Sequence, residues 1–145
     1  VESPAIAALI RAAFEEYRGN HEPESGALGE TPETIAAAFA NHVVIVAEAA
    51  GRLVGCALAT RHGDDLYLGR FAVHPEFRRH GIAGRLLAEA ERHARATGAA
   101  ALTLGVRIAL PGNLRYFAAR GFREVSREAH PGFDHPTSIN MAKRL

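Results

Sequence analysis

Val73-His74-Pro75-Glu76-Phe77-Arg78-Arg79-His80-Gly81-Ile82-Ala83-Gly84-Arg85-Leu86-Leu87 is the stretch on which the reading of this chain turns. An apolar strand pattern over Leu66 to Val73 runs into a short basic loop, and the loop opens directly into a helix pattern beginning near Ile82. Gly81, Ala83 and Gly84 put small residues where backbone must come close to something. A helix start carries free N–H groups and the positive end of the macrodipole, so it favours anions. Arg78 and Arg79 add fixed charge and fork-shaped donors suited to phosphate. The simplest reading is a pyrophosphate cradle.

Two familiar phosphate loops are excluded by their own chemistry. A nucleotide-hydrolase loop needs Lys and then Ser or Thr after its last glycine, for the terminal phosphates and magnesium. Arg85, Leu86 and Leu87 stand there instead. A dinucleotide site needs Gly-x-Gly-x-x-Gly and an acid at the end of the next strand. Gly81 to Leu86 misses that spacing, and the strand predicted over Leu102 to Val106 ends without an acid.

Arg78-x-x-Gly81-x-Ala83, after Val73-His74-Pro75, resembles the acyl-CoA-binding segment of the GNAT superfamily of N-acyltransferases. Asn113-Leu114-Arg115-Tyr116-Phe117-Ala118-Ala119-Arg120-Gly121-Phe122 resembles the late helix of the same superfamily, which ends in Gly-Phe. The spacing between the two segments leaves room for one helix and one strand, as that family requires. The wider resemblance runs from the first helix to Met141-x-Lys143-x-Leu145 and implies one domain over residues 1–145. The fold expected is α/β: a GNAT-like mixed, mostly antiparallel central sheet flanked by helices.

Composition agrees. At 145 residues, 48% of them hydrophobic, the chain is long and apolar enough for one real core. No apolar run approaches a membrane span of roughly 20 residues, and no secretory signal is read at Val1. A formal charge of +1 gives no reason to expect nucleic acid or a membrane as partner. Cys56 is the one cysteine, so a disulfide framework is absent and a reducing cytoplasm is the default expectation. Its alternating strand context makes it a small core residue rather than a nucleophile.

Helices are expected from Ser3-Pro4 and from Thr31-Pro32-Glu33-Thr34, where Thr31 caps and Pro32 suits the first turn. Strands over Val43 to Glu48, Leu53 to Arg61 and Leu66 to Val73 make an antiparallel meander, with a hairpin turn at Ala49-Ala50-Gly51-Arg52. A helix over Ile82 to Thr97 ends at Gly98. A strand over Ala101 to Val106 and a helix over Asn113 to Arg120, capped by Asn113 and ended by Gly121, follow. Strands near Phe122 to Glu128 and Ser138 to Arg144 close the chain. The family's usual first strand would lie before Val1 or be too short to recognise.

The resemblance implies acetyl-CoA as co-substrate. Backbone groups of Phe71, Ala72 and Val73 would face its pantetheine arm, with the Val73 amide polarising the thioester carbonyl. Arg78, Arg79, His80, Gly81, Ile82, Ala83 and Gly84 would hold the pyrophosphate, and Asn113 and Phe117 belong to the same cofactor site. His74 flanks the loop and is read with His80 as a phosphate contact.

Many relatives carry a Tyr four residues before Gly-Phe, placed to protonate the leaving thiolate. That position is Phe117 here, and Tyr116, one step back, is the candidate acid. A phenol of pKa ~10 can protonate a thiolate of pKa ~8.5 if it reaches it. Where some relatives place a Glu base, Tyr67 stands. It is read as lining the acceptor pocket, with His130. Glu48, His62, His130 or a chain of waters would take the amine proton, and the imidazoles titrate in the right range. Glu22, Glu24 and Glu30 make the first loop mildly acidic. The spacing of His130-Pro131-Gly132-Phe133-Asp134-His135 does not suit a metal site, and none is expected.

The expected activity is transfer of an acetyl group from acetyl-CoA to a primary amine by direct attack on the thioester. The acceptor is a small-molecule or protein amine, and the resemblance makes a homodimer common. Departure at both the acid and the base position leaves a rival reading: a non-catalytic acyl-CoA-binding sensor or regulatory module. A partner-binding domain without CoA is a third.

Overall fold

The computed structural model describes residues 3–15 and 26–145. Its first element is helix α1 (Ser3–Phe14), which buries Ile6, Ala7, Leu9, Ile10 and Ala13 on one face. A 3-10 turn (Gly26–Gly29) leads to α2 (Pro32–Ala38). Thr31 caps α2 by accepting from the Thr34 amide at 3.2 Å, while Thr34 Oγ1 accepts from the Thr31 amide at 2.9 Å. This reciprocal pair satisfies two N–H groups that the helix leaves open. Glu22 and Glu24 lie outside the described residues; Glu30 lies within them.

Strands β1 (Val43–Ala49), β2 (Arg52–His62) and β3 (Asp65–Val73) follow as an antiparallel meander. Ala50 and Gly51 take positive φ values of 53° and 78° at the first hairpin, the backbone that a two-residue turn matched to strand twist requires. Helix α3 (Ile82–Ala96) crosses to β4 (Ala101–Arg107); helix α4 (Pro111–Ala119) precedes the hairpin of β5 (Arg123–Glu128) and β6 (Ser138–Arg144). The six strands form one sheet in the order β1-β2-β3-β4-β6-β5, in which β3 and β4 are parallel and all other pairs antiparallel. The mixed, mostly antiparallel α/β expectation matches this sheet. Among the described residues no strand precedes β1.

Two cores sandwich the sheet. One packs α3 and α4 against Leu66, Leu68, Leu102, Leu104 and Val106; the other packs α1 and α2 against Cys56, Leu58 and Ala72. Gly55 explains how α3 approaches β2 so closely. A β-carbon there would stand 2.9 Å from Ile82 Cγ2 and 3.0 Å from a Leu86 methyl, nearer than side chains tolerate.

Most expected elements end within a residue or two of the observed ones. The late helix needs correction: it starts at Pro111, with Leu110 in the cap position, so Asn113 is not its cap. Proline at the first helical position costs nothing, because that N–H has no partner in any helix. Gly121 ends the helix as expected, with φ of 97°. Phe122 is buried just before β5 rather than opening it.

Candidate active site

The site begins where β3 and β4 part. Their parallel ladder runs from Asp65↔Ala101 to Leu68↔Leu104 and stops there, although both strands continue. On its other side β3 stays tied to β2 as far as Val73, across an irregularity between Cys56 and Leu58. Arg70 sits opposite that irregularity with φ of 49°, an uncommon backbone for a non-glycine residue and one found at functional sites. The kink swings the end of β3 away from β4.

The direction of the β3 amides follows from one bond. The His74 N–H donates to the Val54 carbonyl of β2 at 2.7 Å. Backbone groups alternate sides along a strand, so the Val73 N–H points the other way, toward β4 and into the gap. Phe71, two residues earlier, shares that side.

The basic loop closes one end of the gap. Arg79 and Gly81 have φ of 67° and 77°, and two left-handed residues in three positions curl the loop tightly. The first backbone bond of α3 is Arg85 N–H to Gly81 C=O at 3.2 Å. The N–H groups of Ile82, Ala83 and Gly84 precede it, and no side chain caps the helix. A β-carbon at Gly84 would meet no atom within 4 Å, so protein packing does not require glycine there, and the bare backbone leaves room for a bound group to come close. Three converging donors, a helix dipole and an open backbone fit the pyrophosphate of a CoA thioester.

The loop side chains serve different ends. Arg78 donates to the Ala13 carbonyl at 3.0 Å, locking the loop to the end of α1, while Arg79 is exposed at the cavity rim. His80 turns its Nδ1 onto the carbonyls of Phe77 and Arg78, at 3.1 and 2.9 Å, rather than into the cavity. His74 accepts from the Glu76 amide with Nδ1 and packs edge-on against Phe77. Neither imidazole is on the cavity wall.

A cavity of about 1150 Å³ at the gap is lined from both faces of the sheet. On the α3–α4 side its wall includes Ile82, Gly84, Asn113, Tyr116 and Phe117. Phe117 is buried and meets Phe71 edge-on, with ring centroids 5.8 Å apart. Tyr116 lines the same space from the next helix position, and burial raises its pKa against the opposing pull of Arg120. On the α1–α2 side the wall includes Tyr67, Gly69, Arg70, Gly105, His130 and Asn140.

Arg70 donates to Glu30 at 2.6 Å, and Glu30 also accepts from Thr34 Oγ1 at 2.5 Å. Burial works to raise the Glu30 pKa, but these two hydrogen bonds and the Arg70 charge outweigh it and lower it. Arg107 lies near enough to Arg70 for repulsion to join burial in lowering its own pKa.

Of the proton acceptors suggested by sequence, His130 faces the cavity. Glu48 lies on the edge strand β1 and His62 stacks on Tyr67 at 5.3 Å; neither lines it. The buried Thr137 hydroxyl accepts from the His130 backbone N–H at 3.0 Å and also contacts its ring Nδ1. The residue that sequence reasoning missed is His42. It lines the cavity, and its Nδ1 lies 3.2 Å from the Ala38 carbonyl. A carbonyl only accepts, so the proton is on Nδ1 and the neutral ring carries its lone pair on Nε2. The sequence signal was slight: a histidine four residues after a helix's last turn.

Among the described residues no group of three His, Cys, Asp or Glu side chains could hold a metal ion. Among the described residues no helix is long and apolar enough to cross a membrane.

Residues 6–122 match the family model described as the acetyltransferase (GNAT) family. The chain belongs to that family. It is therefore an acyltransferase. Solved structures agree in fold. The PaiA N-acetyltransferase of Thermoplasma acidophilum, in complex with coenzyme A, superposes with a TM-score of 0.81 at 18% identity, over 99% of this chain and 93% of that one. The ribosomal-protein-S18-alanine N-acetyltransferase of Escherichia coli gives 0.69 at 22% identity, over 93% and 86%. A GNAT family acetyltransferase of Elizabethkingia anophelis with acetyl-CoA bound gives 0.65 at 19% identity, over 78% and 82%. No curated protein matches the sequence.

Proposed function

We propose that this GNAT acetyltransferase moves an acetyl group from acetyl-CoA to a primary amine by direct attack on the thioester. The observation that carries the reading is the cavity where β3 and β4 part. Its walls come from both faces of the sheet, which supports a cofactor arm on one face and an acceptor on the other. Amides of the Arg79 to Gly84 loop hold the pyrophosphate. Phe71 and Val73 offer backbone groups to the pantetheine amides, with Ala72 between them lining the same arm and Asn113 and Phe117 across from them.

The Val73 N–H, fixed by the ladder behind it, donates to the thioester carbonyl and steadies the oxyanion that develops there. The amine nitrogen bonds to the acetyl carbon, the carbon–sulfur bond breaks, and the thiolate takes a proton. Tyr116 supplies that proton; its raised pKa keeps it protonated throughout the neutral range. An amine of pKa near ~10.4 arrives mostly protonated and must lose a proton before it attacks. His42 and His130, imidazoles on the acceptor side, take it to solvent.

Calorimetric titration with acetyl-CoA, CoA and ATP, followed by an amine screen with thiol-release detection, tests this. Micromolar binding of the two CoA species, much weaker ATP and steady turnover with an amine are expected. CoA binding without turnover on a broad panel would establish the sensor reading instead. No CoA binding would remove both.

A further inference from the structure

Gly105 occupies an odd place. It lies on β4, a central strand with β3 on one side and β6 on the other, yet it is exposed to the cavity. It is also the first β4 residue after the ladder to β3 ends at Leu104, and it lines the cavity there. A β-carbon built at Gly105 would stand 3.7 Å from the Tyr67 hydroxyl oxygen and 3.7 Å from Asn140 Oδ1. Two neutral oxygens, one from β3 and one from β6, thus flank the space above a residue without a side chain.

Both oxygens are held. The Tyr67 ring is stacked on His62, with centroids 5.3 Å apart and planes 12° from parallel. Asn140 donates from Nδ2 to Ser126 Oγ at 2.9 Å, which directs its carbonyl end toward Gly105. Asn140 pairs with Gly105 in the β4–β6 ladder, so sheet register fixes its distance from the spot.

We propose that the acceptor nitrogen sits above Gly105, donating one N–H to the Tyr67 oxygen and one to Asn140 Oδ1. The assignment rests on the transferase reading and names its acceptor site. A neutral primary amine has two N–H groups and one lone pair. With both N–H groups bound, the lone pair is left for the acetyl carbon. Two uncharged acceptors also hold the ammonium form less firmly than a carboxylate would, so the proton leaves more readily. A secondary amine has one N–H and leaves one oxygen without its partner, at a cost in binding. Tyr67, Gly105 and Asn140 therefore select primary amines and set the room above the nitrogen.

The test uses Tyr67→Phe, Asn140→Leu and Gly105→Ala, assayed with the best amine from the screen and with its N-methyl derivative. A β-carbon at Gly105 makes only ordinary contacts, so Gly105→Ala folds, which circular dichroism checks. Tyr67→Phe and Asn140→Leu are each expected to lower kcat/KM for the primary amine by about tenfold, the loss of one hydrogen bond, and Gly105→Ala is expected to lower it by putting a methyl group where the nitrogen would sit. Acetyl-CoA affinity by calorimetry stays within about twofold on the same physical ground, since none of the three changes removes a donor from the cofactor loop. The preference for primary over N-methyl amine shrinks in Tyr67→Phe and Asn140→Leu. Wild-type kcat/KM in both of those variants, or an undiminished preference, overturns the assignment while leaving the transferase reading intact. A wild-type protein that binds acetyl-CoA but acetylates no amine overturns both.

Discussion

The Arg120 guanidinium carbon lies 3.7 Å from the centroid of the Tyr116 ring. A cation over the ring face favours the phenolate, while burial of the same ring favours the neutral phenol, and burial is the larger effect. Tyr116→Phe is expected to lower kcat by at least about tenfold with little change in acetyl-CoA KM, as loss of a positioned proton donor does. The alkaline limb of the wild-type kcat profile should lie above the ordinary phenol pKa of ~10. Arg120→Met should shift it further up, since the remaining influence is burial. A pH–rate profile unchanged by Tyr116→Phe would remove this residue from the proton path.

Gly84→Glu separates binding from folding. Replacing glycine within a helix gains up to about 1 kcal/mol of propensity, and the position has room for a side chain. A carboxylate there meets the pyrophosphate. The melting temperature should hold or rise, while CoA affinity falls at least about a hundredfold by calorimetry, the scale of one close like-charge contact near a surface. Gly81 makes a poorer probe: its φ of 77° strains any other residue by roughly 1–2 kcal/mol, so lost binding could reflect a distorted loop.

Glu30 should show in the acid stability of the fold. Its pKa is lowered in the folded state. Its contribution is therefore present above the unfolded value of ~4.3 and disappears as pH falls through the lower folded one. Glu30→Gln should lose roughly 1 kcal/mol at neutral pH, a discounted figure because Arg70 is partly exposed, and its stability should fall less between neutral pH and pH 3. Thermal melts across that range check both points. Parallel profiles for the two proteins would show that the Arg70 pair does not stabilise the fold.

Cys56 is fully buried, and burial pushes its thiol pKa up to about 12. At neutral pH almost none of it is thiolate, the reactive form. A disulfide reagent should label the native protein far more slowly than the denatured one, and Cys56→Ala should keep its turnover. Rapid stoichiometric labelling of the native protein would contradict the burial.

How far the sequence could be read depended on the range over which each feature is determined. The Arg78 to Gly84 loop was legible because a strand, a loop and a helix start are local and glycine at a helix start has few uses. The order of the elements was legible for the same reason. Arg78 itself was read by its charge, and its hydrogen bond to the carbonyl of Ala13, 65 positions away, was out of reach of that reading. The start of the last helix was misplaced because Asn113 is a strong cap residue and Pro111 a stronger constraint. Gly105 gave no hint at all. Its exposure depends on how the helix layers leave part of a central strand uncovered, and its value on Tyr67 and Asn140 arriving from two different strands.

Four residue pairs are the whole ladder between β3 and β4, so the sheet is two three-stranded ribbons hinged along a short seam. Amide protons in such a sheet should not exchange as one unit. Those of Tyr67 and Leu68 lie at the seam and should be slow, while the Val73 proton, though inside a strand, should trade with solvent quickly. A ligand that lies along the open edge would slow that exchange without moving either ribbon. The protein would then record occupancy in the exchange times of a few strand amides, independently of any turnover.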